Sequence, residues 1–171
     1  MKTLILIRHA KSSWDDASVT DHDRPLNERG IHDAPMMAKR LLENHIPLQA
    51  CYTSTALRAK STALFFAEAF GLQKQSISEL PELYLAGVDS FKQAVNNISD
   101  NNESVALFAH NPGITHFANS LADVRLDDMP TCSVFAVKCA VNEWKEFNEA
   151  VKQFYCFSFP KKDKMIWGVS Q

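Results

Sequence analysis

Two arginines and two histidines stand where they could form one phosphate-binding pocket. Arg8, His9 and His110 come directly after short apolar segments, and Arg58 lies on the first turn of a predicted helix that follows a third such segment. Ligands of open α/β sheets bind beyond the carboxyl ends of the strands, so these side chains should converge there. Guanidinium groups match the oxygens of a phosphate, and the N–H groups at helix N-termini favour negative charge. The sequence therefore predicts a pocket for a phosphate dianion.

The candidate nucleophile in this pocket is an imidazole. The segments that would form the pocket contain no cysteine, no serine in a nucleophile elbow and no glycine-rich loop of the Walker type. A histidine can attack phosphorus and carry the phosphoryl group covalently, which divides one difficult transfer into two easier ones. Neighbouring cations would stabilise the equatorial oxygens of the transition state. We therefore expect phosphoryl transfer through a phosphohistidine.

Strand and helix patterns alternate along the chain up to about residue 122 and position these side chains. The predicted strands are 3–7, 49–53, 75–79, 104–109, 133–141 and 153–159, and the predicted helices are 27–45, 56–70, 90–98 and 114–122. This order is typical of a three-layer α/β/α sandwich with a mostly parallel central sheet and an antiparallel edge. Pro35 lies inside the first predicted helix, so we expect a kink there or a helix that begins near Asp33. No repeat or linker divides the chain, which indicates one domain over residues 1–171.

Composition excludes several other classes of protein. The 171 residues carry 18 Lys and Arg against 20 Asp and Glu, a formal net charge of -2, so neither nucleic acid nor an anionic membrane is an expected partner. No apolar run approaches the roughly 20 residues that span a bilayer, and the apolar stretch 4–7 is too short for a secretory signal. The four cysteines form no CxxC pair and have no zinc-like spacing with histidine. This usage is typical of reduced thiols in a cytoplasmic protein.

Four motifs, met in order along the chain, carry a resemblance to a known family. They are 8–14 (RHAKSSW), 23–30 (DRPLNERG), 54–62 (STALRAKST) and 109–113 (AHNPG). These motifs resemble those of the histidine phosphatase superfamily, which is phosphoglycerate-mutase-like, in its SixA-type phosphohistidine phosphatase branch. The matches extend from residue 3 to about residue 115, with looser similarity beyond. The resemblance implies a phosphoglycerate-mutase-like fold and a metal-independent enzyme without an organic cofactor.

Carried over to the matching positions, the resemblance makes His9 the phosphorylated nucleophile. It makes Arg8, Arg58 and His110 the residues that bind the phosphate. An attacking imidazole must be neutral, so this assignment predicts a loss of rate below roughly pH 6, near the pKa of an ordinary histidine.

The general acid is the role that the motifs leave open. Glu82 is the nearest positional match to the acid of the mutase-like members, and Glu79 and Asp89 are the alternatives. The leaving imidazole of a phosphohistidine needs little protonation near neutral pH, whereas a sugar alkoxide needs a true acid. A poorly specified acid therefore favours phosphoramidate substrates.

The predicted activity is hydrolysis of phosphohistidine on a protein by a cytoplasmic phosphatase. Only residues 71–85 separate the second predicted helix from the next predicted element, which leaves little room for a lid. An open site suits a phosphorylated side chain better than a small molecule that must be enclosed. The expected partner is a phosphohistidine-containing signalling or phosphotransfer protein. Two alternatives stay open: a small-molecule phosphomonoesterase on the same fold, acting on a phosphorylated metabolite, and a catalytically silent phosphate-binding module.

Overall fold

The computed structural model describes residues 1–168, and residues 169–171 of the predicted domain lie outside this range. The strands are β1 (Lys2–Arg8), β2 (Ala50–Thr53), β3 (Ile77–Glu79), β4 (Ser104–Ala109), β5 (Val134–Cys139), β6 (Lys152–Ser158) and β7 (Ile166–Trp167). The helices are α1 (Glu28–Glu43), α2 (Leu57–Ala69), α3 (Val88–Asn96) and α4 (Gly113–Leu121). Short 3-10 helices lie at Lys74–Ser76, Pro81–Leu83 and Trp144–Glu146.

The strands of residues 1–168 form one sheet in the order β3-β2-β4-β1-β5-β6-β7. The pairs β3–β2, β2–β4 and β4–β1 are parallel, whereas β1–β5, β5–β6 and β6–β7 are antiparallel. The predicted α/β sandwich, with a parallel centre and an antiparallel edge, is confirmed. β1 pairs with β4 in a register that sets Arg8 opposite Ala109. The chain therefore leaves these two strands side by side, at the same edge of the sheet.

Helices cover both faces of the sheet and make the outer layers of the sandwich. Leu4 and Leu6 of β1 belong to the core under α3 and α4, whereas Ile5 and Ile7 belong to the core under α1 and α2. All four side chains are fully buried, and each contributes about 2 kcal/mol of burial free energy. β1 is therefore fixed from both sides and gives rigid support to the residues that follow it. None of the helices in residues 1–168 has the length and apolar character needed to cross a membrane.

Helix α1 begins at Glu28 and continues through Pro35, so the expectation of a start near Asp33 is wrong. Asn27 caps this helix, because its side-chain oxygen accepts a hydrogen bond from Gly30 N at 3.0 Å. Pro35 cannot donate a hydrogen bond to the carbonyl of Ile31, four residues earlier. Both residues are exposed, so water can bond to that carbonyl and the helix is not interrupted.

The long segment between β1 and α1 is held against the start of α1 by backbone contacts. Ser13 N donates to Pro25 O at 2.9 Å, and Asn27 N donates to Lys11 O at 3.0 Å. At Gly30, an added Cβ would lie 2.2 Å from Lys11 O, so only glycine permits this close approach. The segment is thereby fixed over the carboxyl edge of the sheet.

Candidate active site

The carboxyl ends of three neighbouring strands bring the predicted site residues together. His9 follows β1, His110 follows β4, and α2, which carries Arg58, follows β2. The ring centroids of the two histidines are 5.0 Å apart, and Arg58 Nε lies 3.4 Å from His9 Nε2. With Arg8, all of them line one cavity of about 290 Å³, which we name the catalytic cavity. The expected convergence at one edge of the sheet is therefore observed.

A hydrogen bond fixes the tautomer of His9. Its Nδ1 lies 2.7 Å from the carbonyl oxygen of Ala10, and both groups are buried. A carbonyl only accepts, so Nδ1 must carry the proton, and Nε2 keeps its lone pair. Ala10 N in turn donates to Thr62 Oγ1 on α2 at 2.9 Å, which fixes the backbone behind the ring. The unprotonated Nε2 is the atom that faces Arg58, and its lone pair has the chemistry that a nucleophile requires.

Burial keeps the His9 imidazole neutral. Desolvation is the largest cause of its lowered pKa, and the neighbouring His110, Arg58 and Arg8 lower the pKa further. The hydrogen bond to Ala10 acts in the opposite direction, and the resulting pKa is about 3. The His9 imidazole therefore stays unprotonated far below neutrality. The predicted loss of rate below roughly pH 6 assumed an ordinary histidine pKa, and burial moves the protonation of His9 to a lower pH.

His110 presents a second neutral imidazole to the cavity. Its Nε2 lies 2.7 Å from Ser54 Oγ, at the end of β2. Burial, followed by the positive charge of Arg58, lowers the pKa of His110 to about 3. Its Nδ1 is buried and has no hydrogen-bond partner among the described residues. If the Ser54 hydroxyl donates to Nε2, then Nδ1 carries the proton and can donate it to an oxygen of a bound anion.

Arg8 is held at one side of the cavity and keeps one N–H group without a hydrogen-bond partner among the described residues. Its Nη1 donates to Met129 O at 2.6 Å and to Asp128 Oδ2 at 3.2 Å. Its Nε is buried and lacks a partner within residues 1–168. A buried donor without a partner is costly. Arg8 and His110 both line the cavity, so an oxyanion held there is a candidate partner for this N–H and for Nδ1 of His110.

Asp21, from the segment between β1 and α1, holds the second arginine. Arg58 Nη2 donates to Asp21 Oδ2 at 3.0 Å, and Arg24 Nη2 donates to the other carboxylate oxygen at 2.9 Å. The Tyr84 hydroxyl donates to Asp21 Oδ2 at 2.9 Å. Partial burial acts to raise the pKa of Asp21, but the hydrogen bonds from Tyr84 and the two arginines outweigh it and lower the pKa to about 2. Asp21 is therefore an anion at neutral pH.

Glu82, the predicted general acid, is not brought into the cavity. It lies in the 3-10 helix Pro81–Leu83 and is exposed, whereas the next residue, Leu83, is fully buried in the core. The alternatives Glu79 and Asp89 are also exposed and do not line the cavity. Asp21 is the one carboxylate among the described residues that line it.

Sequence reasoning did not find the roles of Asp21, Ser54 and Thr62. Ser54 and Thr62 lie inside the motif 54–62, so that motif was the available signal. Asp21 is one of several aspartates in a loop without regular spacing, and nothing in its local sequence distinguishes it. Residues 1–168, the cavity included, contain no group of three or more His, Cys, Asp or Glu side chains that could hold a metal ion.

Comparison with known proteins places this chain in a family. Residues 4–90, just over half of the chain, match the histidine phosphatase superfamily (branch 1). The chain therefore belongs to this superfamily, whose members are phosphatases and mutases. An uncharacterized chloroplastic protein of Arabidopsis thaliana is 31% identical over 153 residues, which cover 85% of this chain and 70% of that relative.

Solved structures share the whole architecture. The protein histidine phosphatase SixA, complexed with tungstate, is similar with a TM-score of 0.78 and 22% identity, over 95% of this chain and 99% of that one. The putative phosphohistidine phosphatase SixA from Agrobacterium tumefaciens is similar with a TM-score of 0.76 and 22% identity, over 93% of this chain and 98% of that one. At this identity the likeness establishes the fold, and the chain has the same α/β sandwich.

Proposed function

We propose that this protein is a phosphatase that hydrolyses phosphohistidine on other proteins through a covalent phosphohistidine at His9. The observation that carries the proposal is the state of His9, whose Nε2 is unprotonated and faces a cavity lined by Arg8, Arg58 and His110. A neutral imidazole among cations suits attack on an anionic phosphoryl group. The shared fold with the protein histidine phosphatase SixA supports the same assignment.

The first step forms a bond between His9 Nε2 and phosphorus. The bond from phosphorus to the substrate ring nitrogen breaks, and the electron pair leaves with that nitrogen. The ring leaves as neutral imidazole when its other nitrogen carries a proton, and by analogy with histidine, whose pKa is about 6.5, part of the substrate is in this form near neutral pH. Arg8, Arg58 and His110 hold the equatorial oxygens during transfer.

The second step restores the enzyme. The oxygen of a water molecule attacks phosphorus, and the bond from phosphorus to Nε2 breaks with its electron pair returning to the ring. One proton of the water passes to solvent, and phosphate is released. The proton on Nδ1 stays in place throughout, because the Ala10 carbonyl holds it.

The missing acid favours a phosphoramidate over a phosphate ester. Among the described residues that line the cavity, the single carboxyl group is that of Asp21, and its pKa of about 2 keeps it ionised. An ionised carboxylate cannot protonate an alkoxide as it departs. A neutral imidazole leaves without such help, which favours phosphohistidine as the substrate class.

The open rim of the cavity favours a phosphoryl group carried by a protein. Trp14 and Leu85 line the cavity, and they are 71% and 73% exposed. Residues 74–83, where a lid could be inserted, instead form β3 and two 3-10 turns at the sheet edge. Because exposed apolar surface beside a cavity can mark a site of contact with another protein, these two side chains are candidates for contact with a protein substrate.

The test compares a histidine-phosphorylated carrier protein with sugar phosphates and p-nitrophenyl phosphate. We expect a higher kcat/KM for the phosphohistidine protein, and a loss of at least about 10³-fold in His9→Ala. His116→Ala, at an exposed histidine outside the cavity, is the matched control. Faster hydrolysis of the esters would identify a small-molecule phosphomonoesterase. Phosphate binding without turnover of any substrate would identify a silent binding module.

We also propose a cytoplasmic location. Cys51, Cys132, Cys139 and Cys156 are all free and buried, as is typical of proteins in reducing compartments. Cell fractionation tests this directly, and recovery in an oxidising compartment would contradict it.

A further inference from the structure

A second cavity, of about 500 Å³, opens beside the catalytic cavity, and we name it the side groove. Arg8, Lys11 and Thr131 line both cavities, so the two adjoin. The side groove is further lined by Arg29, His32, Met36, Phe159, Pro160 and Lys161. A substrate that places a phosphoryl group against Arg8 has this groove within reach of its neighbouring atoms.

The side groove is positively charged although the chain as a whole is not. The ammonium groups of Lys11 and Lys161 have no hydrogen bond or ion pair within the described part of the chain. The carboxylate of Asp33 is already bound by Arg29, whose Nε lies 3.7 Å away, and by His32, whose Nδ1 lies 3.1 Å away. The formal net charge of the protein is -2, so this excess of cations is local. Local positive charge attracts and orients acidic groups.

The rest of the lining is apolar. Met36, Pro130, Phe159 and Pro160 contribute to the groove alongside the charged side chains. A free inorganic anion would use the lysines but would gain nothing from this apolar surface. A polypeptide segment that carries both carboxylates and apolar side chains would use both parts of the lining.

We propose that the side groove binds an acidic segment of the phosphoprotein substrate, next to the phosphohistidine. This inference rests on the proposed function and adds the selection of substrates by their acidic neighbouring residues. Lys161 is the outer contact, since it lies in the turn after β6 and is exposed. Lys11 lies between the side groove and the catalytic cavity, where it contacts the carboxylate closest to the phosphoryl group.

The test uses two synthetic phosphohistidine peptides that differ only in Glu or Gln at the positions flanking the phosphohistidine. We expect the wild-type protein to prefer the acidic peptide. In Lys161→Glu, kcat/KM for that peptide should fall roughly three- to tenfold through KM, because repulsion replaces attraction. Hydrolysis of the neutral peptide and of free phosphoramidate should stay within about twofold. Lys164→Glu makes the same change of charge three residues along the chain, outside the groove, and should have no such effect.

The results separate this inference from the proposed function. If the wild-type protein hydrolyses both peptides at equal kcat/KM, or if Lys161→Glu and Lys164→Glu behave alike, the groove does not select acidic segments, and the proposed function stands. If no phosphohistidine substrate is hydrolysed while phosphate esters are, the proposed function and this inference both fail. A preference for the acidic peptide that shrinks as salt is raised supports the inference.

Discussion

Acidification should destabilise this protein through two buried imidazoles. The pKa values of His9 and His110 are both lowered to about 3, mainly by burial. In the unfolded chain the same side chains take up protons near their ordinary pKa of about 6.5. As the pH falls below about 6.5, the unfolded state therefore binds protons that the folded state excludes, and the free energy of unfolding decreases.

The size of the effect follows from this difference in pKa. At about pH 5, protonation stabilises the unfolded state by about 2 kcal/mol for each histidine relative to neutral pH. His9 and His110 are only 8% and 5% exposed, so solvent does not reduce the difference between their folded and unfolded pKa values. Together they lower the free energy of unfolding by about 4 kcal/mol, a large part of the roughly 5–15 kcal/mol of a typical domain.

Urea unfolding at a series of pH values measures this directly, with the fluorescence of the fully buried Trp144 as one reporter. His9→Asn and His110→Gln should each remove about half of the pH dependence below about pH 6.5. The exposed His116→Gln should leave it unchanged. Added tungstate should reduce the pH dependence of the free energy of unfolding, since a dianion bound in the folded state favours protonation of the two imidazoles there. A wild-type decrease below about 1 kcal/mol, or equal slopes in all variants, would refute the argument.

Three further substitutions test other contacts of the site. Asp21→Asn removes the negative charge that faces Arg58. The affinity for tungstate, measured by calorimetry, should therefore rise at least about threefold. Weaker binding would mean that this carboxylate mainly holds the arginine in place. Ser54→Ala removes the hydrogen bond to His110, so kcat should fall about tenfold, and Ser54→Thr should restore it. Equal values of kcat in the wild type and both variants would show that this hydrogen bond does not position His110. Gly30→Ala sets a Cβ 2.2 Å from a backbone oxygen and should lower the free energy of unfolding by about 2 kcal/mol in urea titrations. Gly87→Ala is the control, because no atom lies within 4 Å of the added Cβ. Similar losses of stability in both variants would argue against steric conflict.

The fold and the meeting of the four main residues were predictable from local patterns. Buried parallel strands give short apolar runs, and residues that follow such strands meet at the carboxyl edge of the sheet. His9, Arg58 and His110 each stand directly after a strand or on the helix that follows one. Their positions therefore follow from the order of the elements, without any knowledge of side-chain contacts.

The fine structure of the site was not predictable in this way. Asp21 reaches Arg58 and Tyr84 across 37 and 63 residues of sequence, through a loop whose path depends on tertiary contacts. Glu82 lies at a matching position in sequence, but its 3-10 helix buries the neighbouring Leu83 and leaves the carboxylate exposed. The low pKa of His9 depends on burial by the complete fold, which no local pattern reveals.

The central claim is that His9 carries the phosphoryl group during turnover. Rapid quenching of the wild-type protein with a ³²P-labelled phosphohistidine protein tests it most directly. Label should appear on the enzyme before product release, survive alkali, be lost in acid, map to residue 9 and be missing from His9→Ala. Label that is stable in acid, or that persists in His9→Ala, would place the phosphoryl group on another residue and contradict the account.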